Sequence, residues 1–252
     1  MMTFTQAQLD AWLAGAFLPF IRILALFSAA PLLSHKSFPP RARVALAAVI
    51  AFLVAPFANV PPGLTLASAA GLGLVAQQVV IGLAMGFAAR LLFAIFEIAG
   101  EFIGLQMGFS FAGFFDPTGG TESAVGTWLN TLGMMLFVAL NAHLVLVDAL
   151  VATFQSFPIA SDPFSAFAVL RLDKLGADVF RLALALALPV TMLMLFVNLV
   201  LGFASRVAPQ LSIFSVGFPV TLLAGLAALA FGTGHLLGPM QEGLAIFLAP
   251  LR

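Results

Sequence analysis

Long runs of apolar residues separated by short polar segments make up most of the chain. The first run, residues 9–33, has about the length that crosses a hydrocarbon core and is interrupted by Pro19 and Arg22. The second run, 44–57, is short for a full crossing and predicts a short or partly immersed element. The third, 64–115, is apolar for about fifty residues, which as one helix would measure about 75 Å, so it must break or protrude from a single crossing.

Three more helices are predicted in the second half of the chain. Thr121 or Ser123 can cap the first and Asp173 the second, because such side chains accept hydrogen bonds from the free N–H groups at a helix start. The three segments are about 121–157, 173–204 and 219–248. The last two form a C-terminal hairpin, and the chain therefore has about six hydrophobic helical elements.

Composition places this pattern in a membrane. Of the 252 residues, 62% are hydrophobic and 8% are charged, whereas about 25% are charged in an average soluble domain. The formal net charge is zero, which provides no basic surface for nucleic acid. The absence of cysteine excludes disulfides and thiolate metal sites. The sequence thus predicts an all-α, polytopic integral membrane protein.

The polar segment 34–43 carries Lys36, Arg41 and Arg43 without an acidic residue. It also contains two adjacent prolines, which are typical of a loop. By the positive-inside rule this segment is a cytoplasmic loop, and the N-terminus is then expected outside.

The segment 100–120 combines a glycine pattern with an aromatic cluster. Gly100, Gly104 and Gly108 recur at every fourth position, which on a helix produces a smooth face for close packing. The residues that follow are phenylalanine-rich and end in a turn sequence: Phe109, Phe111, Phe114, Phe115, Asp116 and Pro117. The proline and the glycine pair after it do not continue a helix. The pattern predicts either an aromatic loop at membrane depth, enclosed by protein or lining a water-filled cavity, or the bent end of a packed helix.

Three charged residues of the third apolar run, Arg90, Glu97 and Glu101, share one helical face at spacings of seven and four. An ionised carboxylate in apolar surroundings needs a partner or must take up a proton. One hypothesis is therefore a proton relay, as in a proton-coupled transporter. We favour a structural charge network with arginines or with a neighbouring subunit. The candidate arginines on other segments are Arg22, Arg181 and Arg206.

Patterns for catalysis or metal binding are weak. Ser110 lies in a degenerate nucleophile-elbow sequence that lacks the final glycine, although His143 and Asp148 could complete a triad. The three histidines fall in three separate elements without the i, i+4 pairing of many metal sites. No enzymatic activity, cofactor or metal site is predicted.

Three blocks of sequence resemble one known family. The blocks are GLQMGFSFAGFFDP at 104–117, LNAH at 140–143 and APQLSIFSVGFP at 208–219. They resemble the FliR family, the membrane components of the flagellar type III protein export gate, and the similarity extends over essentially the whole chain. The uninterrupted first block favours the flagellar members over the homologous proteins of virulence injectisomes.

This resemblance implies a non-enzymatic conduit in the bacterial inner membrane, at the flagellar basal body. It implies a closed helical assembly of FliP and FliQ subunits with one chain of this family, with FlhB associated and unfolded flagellar proteins as the transported substrate. Residues 1–157 would be similar to FliP, and the hairpin 173–250 to FliQ. A proton-coupled transporter is the alternative of a different class, and it rests on Glu97 and Glu101.

The resemblance also implies a role for the aromatic segment. The plug of the family is a phenylalanine-bearing loop that projects into the pore, which corresponds here to 109–120. The connection between the last two helices contains Arg206, Pro209 and Gln210.

Overall fold

A computed structural model of the protein describes residues 6–35, 38–58, 68–109, 123–159, 172–208 and 216–248. The main helices are α1 Gln6–Ala29, α2 Pro40–Val54, α3 Ala69–Met107, α4 Ala124–Ala139, α5 Ala142–Ser156, α6 Leu172–Val207, α7 Phe218–Gly232 and α8 Leu237–Phe247. Short helical turns occupy Pro31–Ser34, Ala55–Phe57 and Thr233–Leu236. No strand occurs in these described ranges, and the all-α prediction is confirmed.

Within the described ranges, four segments are long and apolar enough to cross a membrane. They are Pro40–Phe57, Ala69–Met107, Leu175–Val207 and Phe218–Phe247. A fifth results if α4 and α5 count as one bent crossing. In α1 the part of the apolar stretch whose side chains are described is Ala14–Ala29. The prediction of a polytopic membrane protein is confirmed.

Three helix starts differ from or refine the prediction. α2 begins at Pro40, because proline fits the first helical position, and the polar loop predicted over 34–43 is therefore shorter than expected. The resulting segment is long enough to cross a membrane, so the prediction of a short second element was wrong. Ser123 caps α4, its hydroxyl accepting from the N–H of Gly126 at 3.4 Å. α6 already includes Leu172, which places Asp173 inside the first turn rather than at the cap.

α3 is one unbroken helix of 39 residues. At 1.5 Å per residue it is about 58 Å long, which exceeds the roughly 30 Å of a hydrocarbon core. It ends at Met107, and Gly108 follows in the left-handed region with φ 86°. Glycine adopts this conformation without a steric penalty, so Gly108 redirects the chain directly before Phe109.

The prediction of a single helix from about residue 121 to about residue 157 was wrong, because α4 ends at Ala139 and α5 starts at Ala142. The break lies at Leu140 and Asn141, and Asn141 has φ 56°. Asparagine is one of the few residues that visit the left-handed region routinely. An isolated asparagine in an apolar run does not by itself indicate that it will do so.

The chain forms two compact units. The first comprises Met1–Leu91, Asn141–Leu175 and Leu244–Arg252, and the second comprises Leu92–Leu140 and Gly176–Gly243. The core of the first unit draws on α1, α2, the first part of α3 and α5. Its large members are Leu18, Ile23, Leu26, Phe27, Val54, Met85, Leu146, Leu150 and Phe154. The similarity of residues 1–157 to FliP and of residues 173–250 to FliQ, which the sequence resemblance implies, stays a prediction.

Arg22 lies in the core of the first unit and is completely buried. Its Nε donates to Oε1 of Gln78 at 2.7 Å, and Nη1 donates to the carbonyl and the hydroxyl of Thr153 at 3.0 and 3.2 Å. Nη2 donates to the carbonyl of Phe157 at 3.0 Å, and the guanidinium carbon lies 4.0 Å from the ring centre of Phe154. All the partners of Arg22 that the structure describes are uncharged. The expectation that Arg22 serves as a counter-charge for a carboxylate is replaced by a role in binding the C-terminal end of α5.

Two glycines of α3 allow α1 to approach closely. A Cβ atom at Gly82 would overlap the carbonyl oxygen of Arg22 and the Cβ atom of Ala25. A Cβ atom at Gly86 would overlap the Cβ atom of Ala29. Small residues at such positions permit the backbone contact on which helix association in membranes depends.

We expect Gly82→Ala to destabilise the protein and Gly73→Ala on the same helix to be neutral or slightly stabilising. At Gly73 a Cβ atom meets nothing within 4 Å, and alanine favours a helix over glycine by about 1 kcal/mol. At Gly82 the added methyl group forces α1 and α3 apart, at a cost of about 1–3 kcal/mol. The measurement is the thermal midpoint of the detergent-solubilised assembly that contains the variant, together with the level of the variant in the membrane. Equal midpoints for the two variants would contradict this account of the contact.

Candidate functional site

The two ends of the aromatic segment lie on the second unit and form the candidate site. Residues 106–109 lead out of α3, and 123–126 lead into α4; together they are called the loop stem. Most of the predicted plug lies outside the described residues: Phe111, Phe114, Phe115, Asp116 and Pro117. Phe109 is described and is half-buried.

Glycine contacts hold α4 against the end of α3. A Cβ atom at Gly100 would overlap the backbone of Gly126, and one at Gly104 would lie 2.5 Å from Oγ of Ser123. About two turns further along α4, a Cβ atom at Gly133 would lie 2.9 Å from ring carbons of Phe96. Two of the three predicted packing glycines therefore lie at this crossing, whereas Gly108 ends the helix.

Glu101 serves the start of α4. Its Oε1 accepts a hydrogen bond from the backbone N–H of Ser123 at 2.9 Å, and the carboxylate lies beside Gly126. The first N–H groups of a helix have no partner within the helix and carry its positive dipole end, so a carboxylate is stabilised there. This local contact gives the half-buried Glu101 a partner without an arginine.

The other charged residues lie apart from this contact. Glu97 and Arg90 are exposed, and neither forms an ion pair with a described residue of its own unit. Arg181, considered above as a counter-charge, pairs instead with Glu242 at 2.8 Å and with Asp178 at 3.5 Å. The charge network of Arg90, Glu97 and Glu101 stays a prediction.

Residues of the C-terminal hairpin contact the end of α3. Nδ2 of Asn198 donates to the carbonyl of Gln106 at 3.2 Å and lies 3.3 Å from its Oε1. The hydroxyl of Thr221 lies 3.3 Å from the carbonyl of Met107. Gly225 faces the side chain of Met107, which is fully buried. Asn198 of α6 and Thr221 and Gly225 of α7 are together called the hairpin clasp.

A cavity of about 330 Å³ opens at the loop stem. Phe109 lines it together with Val125 and Trp128 of α4 and with Leu226 and Leu229 of α7. All of these side chains are apolar or aromatic. The first residue of the aromatic segment thus lies on a surface shared by α4 and the hairpin.

Several predicted residues lie elsewhere. Arg206 belongs to the last turn of α6 rather than to the connection after it. Pro209 and Gln210 lie outside the described residues, as does Ser110 of the degenerate nucleophile motif. Over the ranges that the structure describes, no three acidic or histidine side chains are grouped to hold a metal ion.

Sequence reasoning did not identify the hairpin clasp. Asn198 was visible as the single amide between Arg181 and Arg206 in an otherwise apolar stretch. Such an isolated polar residue in a membrane helix signals an interhelical hydrogen bond, although it does not name the partner. Thr221 carried no such signal, because threonine commonly bonds a carbonyl of its own helix.

These features define a polytopic helical membrane protein whose helices are joined by glycine contacts and isolated polar bonds. The family model of bacterial export proteins, family 1, matches residues 13–245. The flagellar biosynthetic protein FliR of Pectobacterium carotovorum subsp. carotovorum is 43% identical over 232 residues, which cover 91% of this chain and 88% of that protein. FliR of Escherichia coli (strain K12) is 44% identical over 233 residues, with coverages of 91% and 88%. FliR of Bacillus subtilis (strain 168) is 32% identical over 212 residues, with coverages of 81% and 80%.

The chain belongs to the bacterial export proteins of family 1, the FliR family. The resemblance seen in the sequence is confirmed, and with it the assignment to the flagellar export gate as a membrane component that is not an enzyme. The two alternative functions, an injectisome homologue and a proton-coupled transporter, are set aside.

We expect Glu101→Leu to loosen the crossing of α3 and α4, and Glu101→Gln to have a much smaller effect. Glutamine retains an oxygen that accepts from the N–H of Ser123, whereas leucine leaves that N–H without a partner, at a cost of about 1–3 kcal/mol. The thermal midpoint of the purified assembly measures the difference, and Glu97→Leu on the exposed face serves as the control. Equal losses for Glu101→Gln and Glu101→Leu would show that the charge, rather than the hydrogen bond, is required.

Proposed function

We propose that this chain forms the pore of the flagellar export gate together with homologues of FliP and FliQ, with an FlhB homologue associated. Unfolded flagellar proteins pass through this pore. Family membership over nearly the whole chain supports the assignment to the flagellar export gate. The exposed apolar surface of the helices supports the presence of partner chains.

The observation that carries the proposal is the contrast between buried and exposed helices. In the candidate span of α3, 56% of the most apolar window is buried within the chain, against 22% in α6 and 22% in the α7–α8 segment. The exposed faces carry large side chains, including Phe203 at 67% and Phe231 at 89% exposure. These faces need lipid or further helices around them.

Open glycines favour partner helices on part of that surface. A Cβ atom at Gly202, Gly234 or Gly238 would meet nothing within 4 Å. At the contacts inside the chain, by contrast, the space beside a glycine such as Gly100 is filled by the backbone of another helix. Lipid tails gain nothing from a glycine, whereas a helix that packs closely does.

We expect the chain to be stable only in a hetero-oligomer. Tagged protein co-expressed with FliP and FliQ homologues should purify as one discrete complex, because its exposed faces are then covered. The same protein expressed alone should aggregate or be degraded, as size-exclusion chromatography and immunoblotting would show. A homogeneous, stable monomer in detergent would overturn the proposed assembly.

The proposal also assigns a closing role to the aromatic segment 109–120. Both of its ends lie at the loop stem, Gly108 allows the sharp exit from α3, and the resemblance identifies the segment as the plug. Phenyl rings in a narrow pore exclude water and ions by dewetting. The segment would therefore keep the resting pore closed to small solutes.

We expect the triple variant Phe111→Ala, Phe114→Ala and Phe115→Ala to assemble but to leak. The control removes three phenyl rings from the exposed surface of α6: Phe180→Ala, Phe196→Ala and Phe203→Ala. Conductance across the membrane, or growth arrest caused by small solutes, measures the leak in cells that carry assembled gate. Unchanged permeability in the assembled triple variant would show that these rings only pack, and an equal leak in the control would show a non-specific defect.

A further inference from the structure

The last carbonyl groups of α3 have no partners within their own helix, because the helix stops at Met107. In apolar surroundings an unpaired carbonyl is costly, so donors must come from elsewhere. The N–H of Gly108 bonds back to the carbonyl of Leu105 at 3.2 Å. The carbonyls of Gln106 and Met107 receive donors from the hairpin clasp.

Thr221 differs from the other threonines of α6, α7 and the turn that follows. The hydroxyls of Thr191 and Thr233 each donate to a carbonyl three residues earlier in the chain. The hydroxyl of Thr221 has such a carbonyl at 3.0 Å, that of Phe218, but it also faces the carbonyl of Met107 at 3.3 Å. Thr221 is buried, with 8% of its surface exposed. Its single hydroxyl hydrogen is therefore shared between α7 and the end of α3.

Asn198 fixes the orientation as well as the distance. Its Nδ2 lies within hydrogen-bond distance of both the backbone carbonyl and the side-chain oxygen of Gln106. Two acceptors on one residue restrict rotation of α3 about its own axis more than one acceptor would. No other asparagine or glutamine lies between Arg181 and Arg206, so α6 has no second amide to replace this one.

Gly225 completes the clasp by allowing α7 to reach Met107. A Cβ atom at Gly225 would lie 2.5 to 2.6 Å from Cγ, Cε and Sδ of Met107. The Met107 side chain is 0% exposed and has little room to move away. The close approach places α7 beside the last residue of α3.

The geometry points to Asn198, Thr221 and Gly225 as positioning residues that hold the exit of the aromatic segment from α3. The inference rests on the proposed closing role of 109–120 and names the side chains on which the position of that segment depends. Without the clasp the carbonyls of Gln106 and Met107 bond to water instead, and Gly108 and Phe109 become mobile. The gate then assembles but closes imperfectly at rest.

The test compares matched variants in the assembled complex. Thr221→Val keeps the shape of the side chain and removes the donor, Thr221→Ser restores the donor, and Thr233→Val is the control on the same hairpin. Asn198→Leu, with Thr191→Val as its control, tests the second donor. Hydrogen–deuterium exchange is measured in the peptide that covers 104–109, and ion leak is measured in the same membranes.

We expect the amides of this peptide to exchange about fivefold faster in Thr221→Val, the effect of losing one hydrogen bond of ordinary strength. Thr221→Ser should exchange at the wild-type rate, and both control variants should be unchanged. Leak should rise in Thr221→Val and Asn198→Leu and remain at wild-type level in the controls. A Gly225→Ala variant should behave like Thr221→Val. Gly232→Ala on the same helix should not, because a Cβ atom there lies 3.7 Å from Cγ2 of Val190, an ordinary contact distance.

Three results would overturn the inference. The first is an unchanged exchange rate in assembled Thr221→Val, and the second is an equal increase in Thr233→Val. The third is loss of assembly in Thr221→Val but not in Thr233→Val, which would assign Thr221 to assembly. Faster exchange without leak, combined with no leak in the triple phenylalanine variant, would instead overturn the closing role and leave the clasp as the support of the α3 terminus.

Discussion

Helix ends that are buried in apolar surroundings must find hydrogen-bond partners, and this requirement accounts for several of the polar side chains that the structure describes between helices. Arg22 donates to carbonyls at the C-terminal end of α5, and Glu101 accepts from the N–H at the start of α4. Asn198 and Thr221 donate to carbonyls at the end of α3. Each side chain bonds a backbone group on another helix, so satisfying a helix end also joins two helices.

Glycine contacts supply the complementary part of the packing. Between apolar helices in lipid there is little hydrophobic driving force, and association depends on close contact and interhelical polar bonds. Gly82 brings α3 against α1 next to Arg22, and Gly100 brings it against α4 next to Glu101. In both places a close backbone crossing lies beside a polar bond to a helix end. Dispersion contacts and hydrogen bonds therefore act at the same points of each unit.

This arrangement suits a subunit of a protein-conducting gate in the FliR family. The chain joins its helices through a few buried polar groups and leaves apolar helix faces and open glycines for lipid and for partner helices. The aromatic segment starts and ends at the loop stem, where its two neighbouring helices are held by Glu101 on one side and by the hairpin clasp on the other.

The sequence by itself determined the membrane class, the helical content and the family, because these follow from hydropathy and long specific blocks, and local hydrogen-bond chemistry limited the cap of α4 to Thr121 or Ser123. It also identified Glu101 as a residue that needs a partner, since charge in an apolar run is costly wherever it lies. Only the tertiary structure decided that this partner is a backbone group at a helix end and that Asn141 breaks an apolar run. It alone also decided that Thr221 faces another helix. A side chain's polarity is a property of one residue, whereas its acceptor comes from a segment distant in sequence that folding brings near.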